Sequence, residues 1–329
     1  MRANLVFRRF STGSNFALAA ALTLVLAGAP RSAAAQEWPS RPVTIILPFA
    51  GGGIMDIAVR SVAQELTKAL GQTVIVEPKG GGNGIVGSAA VANAAPDGYT
   101  LLINAIGPVV FRPLAEQNAG PDIGREMTPV ILIGDTPNAI LANLKLGVNT
   151  IKELIDYAKA HENRLTIGHP GAGTMGEYCG AMLATRLRID GNMIAYRGAA
   201  PIVTDLLGGQ IDIGTPAYGP GATAVKILAT AGDARLSSLP DVPTLKESGV
   251  DMECSTWLAI FAPGGTPRPI VDKLNAAIDA YLRQPETRET FGKVGLRPLG
   301  GSPEILRDRI VSDRALWAPI IGARAGAAK

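Results

Sequence analysis

Val43-Thr44-Ile45-Ile46-Leu47-Pro48-Phe49-Ala50-Gly51-Gly52-Gly53-Ile54-Met55-Asp56 carries an apolar run into three glycines and then into a helical repeat. The run is short and uninterrupted, as a strand buried on both faces is. Ile57, Val59, Val62 and Leu66 recur at helical spacing, which predicts a helix over 57–70 ended by Gly71. Strand, glycine turn and helix in that order open a parallel α/β sheet. Glycine lets a backbone approach a ligand closely, and the free N–H groups of a helix start favour an anion. The loop reads as a cradle for a carboxylate or phosphate, with a simple tight connection as the alternative. In a cradle, a β-carbon on Gly52 is expected to block the ligand.

Strands and helices alternate through the rest of the chain. Strands are predicted at Thr73–Val76, Thr100–Ile103, Val130–Ile133 and Ala139–Asn143, and a helix at Gly87–Ala94. Thr150 caps a helix carrying Leu154, Ile155 and Ala158. The strand Leu165–Ile167 runs into a second glycine-rich turn, Gly168-His169-Pro170-Gly171-Ala172-Gly173-Thr174, and another helix. Strands at Met193–Ala195, Gln210–Ile213, Lys226–Ala229 and Trp257–Phe261 follow, with helices at Pro201–Leu207, Pro269–Leu282 and Pro303–Ala318. Ligands of open α/β sheets sit beyond the carboxyl ends of the strands. Two glycine turns in different halves would line one cleft, and the halves would close on a small molecule by a hinge.

The N-terminus places this cleft outside the cytoplasm. Arg2, Arg8 and Arg9 precede the apolar stretch Phe16 to Leu26 and the small residues Ala33-Ala34-Ala35. That is the order of a secretory signal peptide over residues 1–35, cut between Ala35 and Gln36. The leader holds four of the 31 basic side chains and no acid, so the exported chain carries 27 basic against 28 acidic groups. No basic footprint for nucleic acid or an anionic membrane remains, and an anion needs a local site. Cys179 and Cys254 would enter an oxidising compartment as a disulfide or as buried thiols. His161 and His169 are the only histidines, and no metal-ligand spacing occurs, so no metal or cofactor is expected.

Gly82-Asn83-Gly84-Ile85-Val86-Gly87 matches the dinucleotide pattern G-x-G-x-x-G between a strand and a helix. It follows the second strand rather than the first, however, and the acid expected about twenty residues on is missing. An NAD-dependent oxidoreductase is therefore the weaker alternative. No G-x-S-x-G elbow or Ser–His–acid set supports a hydrolase.

Further signposts occur in a fixed order: Ala95-Pro96-Asp97-Gly98-Tyr99-Thr100, then Gly171, Gly173 and Thr174, then Tyr196-Arg197-Gly198-Ala199-Ala200-Pro201. Asp205-Leu206-Leu207-Gly208-Gly209-Gln210-Ile211-Asp212, Leu239-Pro240-Asp241-Val242-Pro243-Thr244 and Ala262-Pro263-Gly264-Gly265-Thr266-Pro267 complete the series. With Pro48-Phe49, its glycines and Asp56, the chain resembles the Bug-type periplasmic receptors of tripartite tricarboxylate transporters from Trp38 to the final helix. The resemblance implies a two-domain Venus-flytrap fold, each domain a mainly parallel sheet flanked by helices, with two crossing segments near Thr136–Ala139 and Ser255–Ala259. Domain one would be 36–136 plus 256–329, and domain two 137–255. It also implies a monomeric, non-catalytic receptor for a small carboxylate, serving membrane transport subunits or a sensor protein.

The residues expected around the ligand are Phe49, Gly51, Gly52, Gly53, Asp56, Asn104, His169, Gly171, Gly173, Thr174, Tyr196, Arg197 and Thr215. Several keep a second reading. Asp56 would cap its helix or touch ligand. His169 would be a donor, a pH-sensitive contact or an exposed loop residue. Arg197 would wall the cleft or pair with a surface acid, and Asn104 would donate to ligand or turn its loop. Gly51, Met55, His169, Met175 and Thr215-Pro216 depart from the residues the family usually carries, and Ala217–Val225 is short. These changes favour an aromatic or partly apolar carboxylate over citrate.

Overall fold

A computed structural model describes residues 37–49, 51–116, 120–162, 164–219 and 221–327. The leader and its cut after Ala35 lie outside the described residues. Among those residues no helix is long and apolar enough to cross a membrane.

The first sheet holds six strands: β1 (Val43–Leu47), β2 (Val74–Pro78), β3 (Thr100–Ala105), β4 (Thr128–Pro137), β10 (Ser255–Ala262) and β11 (Arg297–Pro298), in the order β11-β4-β10-β3-β1-β2. The second holds β5 (Ala139–Ala142), β6 (Arg164–His169), β7 (Asp190–Ala195), β8 (Ile213–Gly214) and β9 (Lys226–Thr230), ordered β7-β6-β8-β5-β9. Flanked on both sides by β3 and β2, β1 has the predicted character, since Val43, Ile45 and Leu47 have no exposed surface.

Both sheets are mixed, where mainly parallel sheets were expected. β1 runs parallel to β2 and β3, whereas β10 is antiparallel to both β3 and β4. In the second sheet β6 is parallel to β7 and β8, and β5 is antiparallel to β8 and β9. The crossing of the chain is the reason. β4 leaves the first sheet and β10 returns to it as neighbours, so one must run against the other. The outward step is a single residue, Asn138, held on all sides. Its N–H donates to the Cys254 carbonyl at 2.8 Å, its carbonyl accepts from the Ala231 N–H at 2.8 Å, and its side-chain amide donates to the Thr215 carbonyl at 2.9 Å.

The helices that matter for the site are α1 (Ile54–Leu70), α2 (Ile85–Ala92), α3 (Arg112–Ala115), α4 (Ile123–Glu126), α5 (Ile151–Ala160) and α6 (Met175–Leu187). α1 starts at Ile54, three residues before the predicted start, and buries Val59, Val62, Ala63 and Leu66 on one face. α3 continues a wide helical turn over Gly107–Phe111, every residue of which is buried. Five residues are too few to show a periodicity, and no element was expected there. The Phe111 ring stands edge-on to Tyr178 of α6, with centroids 4.8 Å apart, and to Trp317, 4.9 Å away. Cys179 and Cys254 are free and buried; the hydrogen bond with the Cys254 thiol, and then burial, push the Cys179 pKa up.

Candidate functional site

Each glycine loop is a helix start, and each is closed by an acid of its own helix. In the first, Gly53 is the residue before α1, and the Asp56 carboxylate accepts the Gly52 N–H at 3.0 Å. The other Asp56 oxygen takes the Arg60 Nε–H at 2.7 Å. In the second, Thr174 caps α6 by accepting the Glu177 N–H at 3.3 Å, and Glu177 returns a bond from the Gly173 N–H at 2.7 Å. This reciprocal pattern is a variant of the capping box in which the glutamate takes the N–H of the residue before the cap. It recurs at α5, where Thr150 accepts from Glu153 and Glu153 from the Asn149 N–H, so it is helix architecture before it is ligand chemistry.

A cavity of about 290 Å³ lies between loops of the two sheets. Gly82, Ile85, Pro108, Arg112 and Glu116 line it from the first half, and Ala172, Gly173, Glu177 and Tyr178 from the second. Beside it the halves touch through backbone: a β-carbon on Gly107 would stand 2.6 Å from the Gly173 carbonyl oxygen. Arg112 is 8% exposed, and both its terminal nitrogens are buried without a hydrogen-bond partner among the described residues. Burial pushes this guanidinium below its ordinary pKa, and the charges of Glu116 and Asp122 offset part of that shift. Among the described residues no group of His, Cys, Asp and Glu could hold a metal.

The expected site residues divide around this cavity. Gly173 lines it, and Gly171 and Thr174 shape the same loop: the Gly171 carbonyl accepts the Thr174 hydroxyl at 2.7 Å and faces His169 Nδ1 at 3.1 Å. His169 is buried, which removes its exposed-loop reading. Gly51, Gly52, Gly53, Phe49 and Asp56 line no part of the described cavity. Their loop meets the second half elsewhere, where a β-carbon on Gly219 would lie 3.7 Å from Ile54 Cβ. Around a β-carbon at Gly52 there is open space, so no protein atom of the chain would be displaced by it. Its constraint is the backbone, at φ +93°.

Three other expectations meet internal partners, and a fourth residue faces outward. Asn104 is wholly buried, donating to the Ser88 hydroxyl at 3.0 Å and accepting the Ala105 N–H at 2.9 Å. The Thr215 hydroxyl, also buried, donates to the Gly176 carbonyl at 2.7 Å and thereby ties α6 to the sheet. Tyr196 donates to Asp205 at 2.6 Å, and burial together with that bond pushes its pKa up to about 12. Arg197 is exposed.

Residue reasoning missed Gly82, Ile85, Pro108, Arg112 and Tyr178 as a lining. Two signals were available. Gly82 and Ile85 belong to the G-x-G-x-x-G match set aside with the dehydrogenase, and Arg112 is the one charged residue between Asp97 and Glu116.

Residues 58–325 match the model of the family described as "Tripartite tricarboxylate transporter family receptor". The chain is 31% identical to Protein BugT of Bordetella pertussis over 305 residues, covering 91% of this chain and 94% of BugT. Among solved structures it is similar to R. palustris Rpa4515 with adipate, with TM-score 0.83 and 29% identity over 88% of this chain and 99% of that one. It is also similar to the periplasmic binding protein BugD, with TM-score 0.79, 35% identity and coverage of 88% and 99%. These neighbours carry the two-domain periplasmic-binding fold, and the family is one of solute-binding receptors.

Proposed function

The chain belongs to the tripartite tricarboxylate transporter receptor family, and from that premise we propose that it is an exported, non-catalytic receptor for a small organic carboxylate. The leader is removed after Ala35, and the protein works in the periplasm as a monomer. Its lobes are residues 36–136 with 256–329 and residues 137–255. They open and close about Asn138 and the Cys254–Ser255 return, and the closed form delivers its ligand to membrane transport subunits. The supporting observation is the cavity between loops of the two sheets, which a two-segment crossing joins in a way that allows hinge opening. Adipate in the similar R. palustris structure favours a carboxylate as the occupant.

A thermal-shift screen of mono-, di- and tricarboxylates on chain starting at Gln36 tests this reading. A ligand at about a hundred times its Kd adds about 2.7 kcal/mol of stability, a melting shift of roughly 5 °C or more. One class of carboxylate should produce such a shift and be recovered unchanged. A screen without any shift, or conversion of a bound carboxylate into product, contradicts the proposal.

A further inference from the structure

Arg112 presents a charge that the fold leaves unmatched. Its two terminal nitrogens are buried and have no hydrogen-bond partner among the described residues, although three acids stand near. Asp122 is held by Arg314, whose Nη1 donates to it at 3.1 Å and whose Nη2 also reaches the Val109 carbonyl at 2.8 Å. Glu177 is committed to the Gly173 N–H, and Glu116 lies at the exposed end of α3. An uncompensated buried cation is among the costliest arrangements a core can contain. A guanidinium offers a planar fork that matches one carboxylate.

We propose that Arg112 is the counter-charge for one carboxylate of the ligand, and that Glu116 and Glu177 restrict that ligand to a single carboxylate on a neutral or cationic body. The proposal rests on the receptor reading of this cavity. The wall holds two acids and one cation, so a second ligand carboxylate faces negative charge with no counter-ion among the lining residues. Ile85, Pro108 and Tyr178 supply apolar wall for the body of the molecule. The cavity volume suits a chain of a few carbons and is small for a drug-sized ligand.

Hexanoate, 6-aminohexanoate and adipate share a six-carbon chain and differ only at the far end, which makes them the discriminating probes. In calorimetric titration hexanoate or 6-aminohexanoate should bind about tenfold more tightly than adipate. Arg112→Met should weaken the tighter of them about a hundredfold, because a charge pair is truncated. The ligand-free melting temperature of the same variant should rise by roughly 2–4 °C, since the unmatched charge is gone. A purely structural arginine gives the opposite sign in melting. Should Arg112→Met not fold, Arg112→Lys keeps the charge without the fork and should still weaken binding about tenfold. Unchanged affinity in either folded variant, or adipate binding tightest, overturns the proposal. If only citrate or a C4 dicarboxylate binds, the single-carboxylate site is wrong and the receptor reading stands. If no carboxylate binds at all, both fall.

Discussion

The loops at 51–56 and 171–177 are built to one plan and stand in different surroundings. Both place a glycine N–H on a carboxylate four residues ahead, Gly52 on Asp56 and Gly173 on Glu177. Both use a glycine at positive φ, +93° and +69°. The first loop is exposed, and its acid is shared with Arg60, an exposed pairing of little energetic weight. The second forms one wall of the cavity and lies against the backbone of Gly107. A glycine turn at a helix start therefore reports a way of beginning a helix, and only its neighbours make it a cavity wall.

The largest expected effect is at the contact between halves. Gly107→Val places methyl groups against the Gly173 carbonyl, an overpacking that costs about 1–3 kcal/mol in the closed form. Affinity for the best carboxylate in the thermal-shift screen should fall roughly tenfold to a hundredfold by calorimetry. Gly219→Ala, which meets Ile54 at ordinary contact distance, should change stability by less than about 0.5 kcal/mol and leave affinity unchanged. Equal losses from both substitutions would show that the two contacts close the same site.

Next come the capping acids. Asp56→Ala and Glu177→Ala should each cost about 1 kcal/mol in urea unfolding, since each orphans a loop N–H at a helix start. Only Glu177→Ala should also change affinity, by roughly threefold to tenfold, because its loop lines the cavity. Smaller still are Gly52→Ala and Gly173→Ala. Both sites have open space for a methyl group, and the left-handed backbone sets a penalty of about 1–2 kcal/mol. Melting should drop by roughly 2–4 °C for each, with affinity altered at Gly173 alone. Lost binding in Gly52→Ala would restore the first loop as a contact surface.

The smallest effect concerns the Tyr196–Asp205 brace behind the second loop. The Tyr196 pKa is raised to about 12, so its contribution to stability is fully present below the usual phenol value of about 10 and fades as pH rises through about 12. A spectrophotometric titration should lose its latest-titrating tyrosine in Tyr196→Phe. Loss of a tyrosine titrating near 10 instead would remove the brace.

The strand and helix order was legible because burial writes itself into periodicity: Val43–Leu47 and the α1 face Val59, Val62 and Leu66 fall where their spacing puts them. The mixed direction of the sheets was not, since pairing across the crossing depends on contacts between β4 and β10, more than a hundred residues apart in the chain. Asn104 and Thr215 illustrate the same limit at the site. Each is a polar residue at a strand end, a place that suits ligand contact and core hydrogen bonding alike, and only Ser88 and Gly176 decide between them. Arg112 was passed over despite its isolation in apolar sequence, and its lack of a partner among the described residues is a property of three dimensions: Asp122 is ten residues away and already held by Arg314.

A crystal structure of the protein with hexanoate or another carboxylate that raises its melting temperature places the ligand directly. The carboxylate should lie within hydrogen-bonding distance of the Arg112 guanidinium, between the turn at Gly82–Ile85 and the loop at Ala172–Tyr178, with the amides of Gly51–Gly53 free of it. A carboxylate seated on those first-loop amides and remote from Arg112 would contradict the assignment of the site.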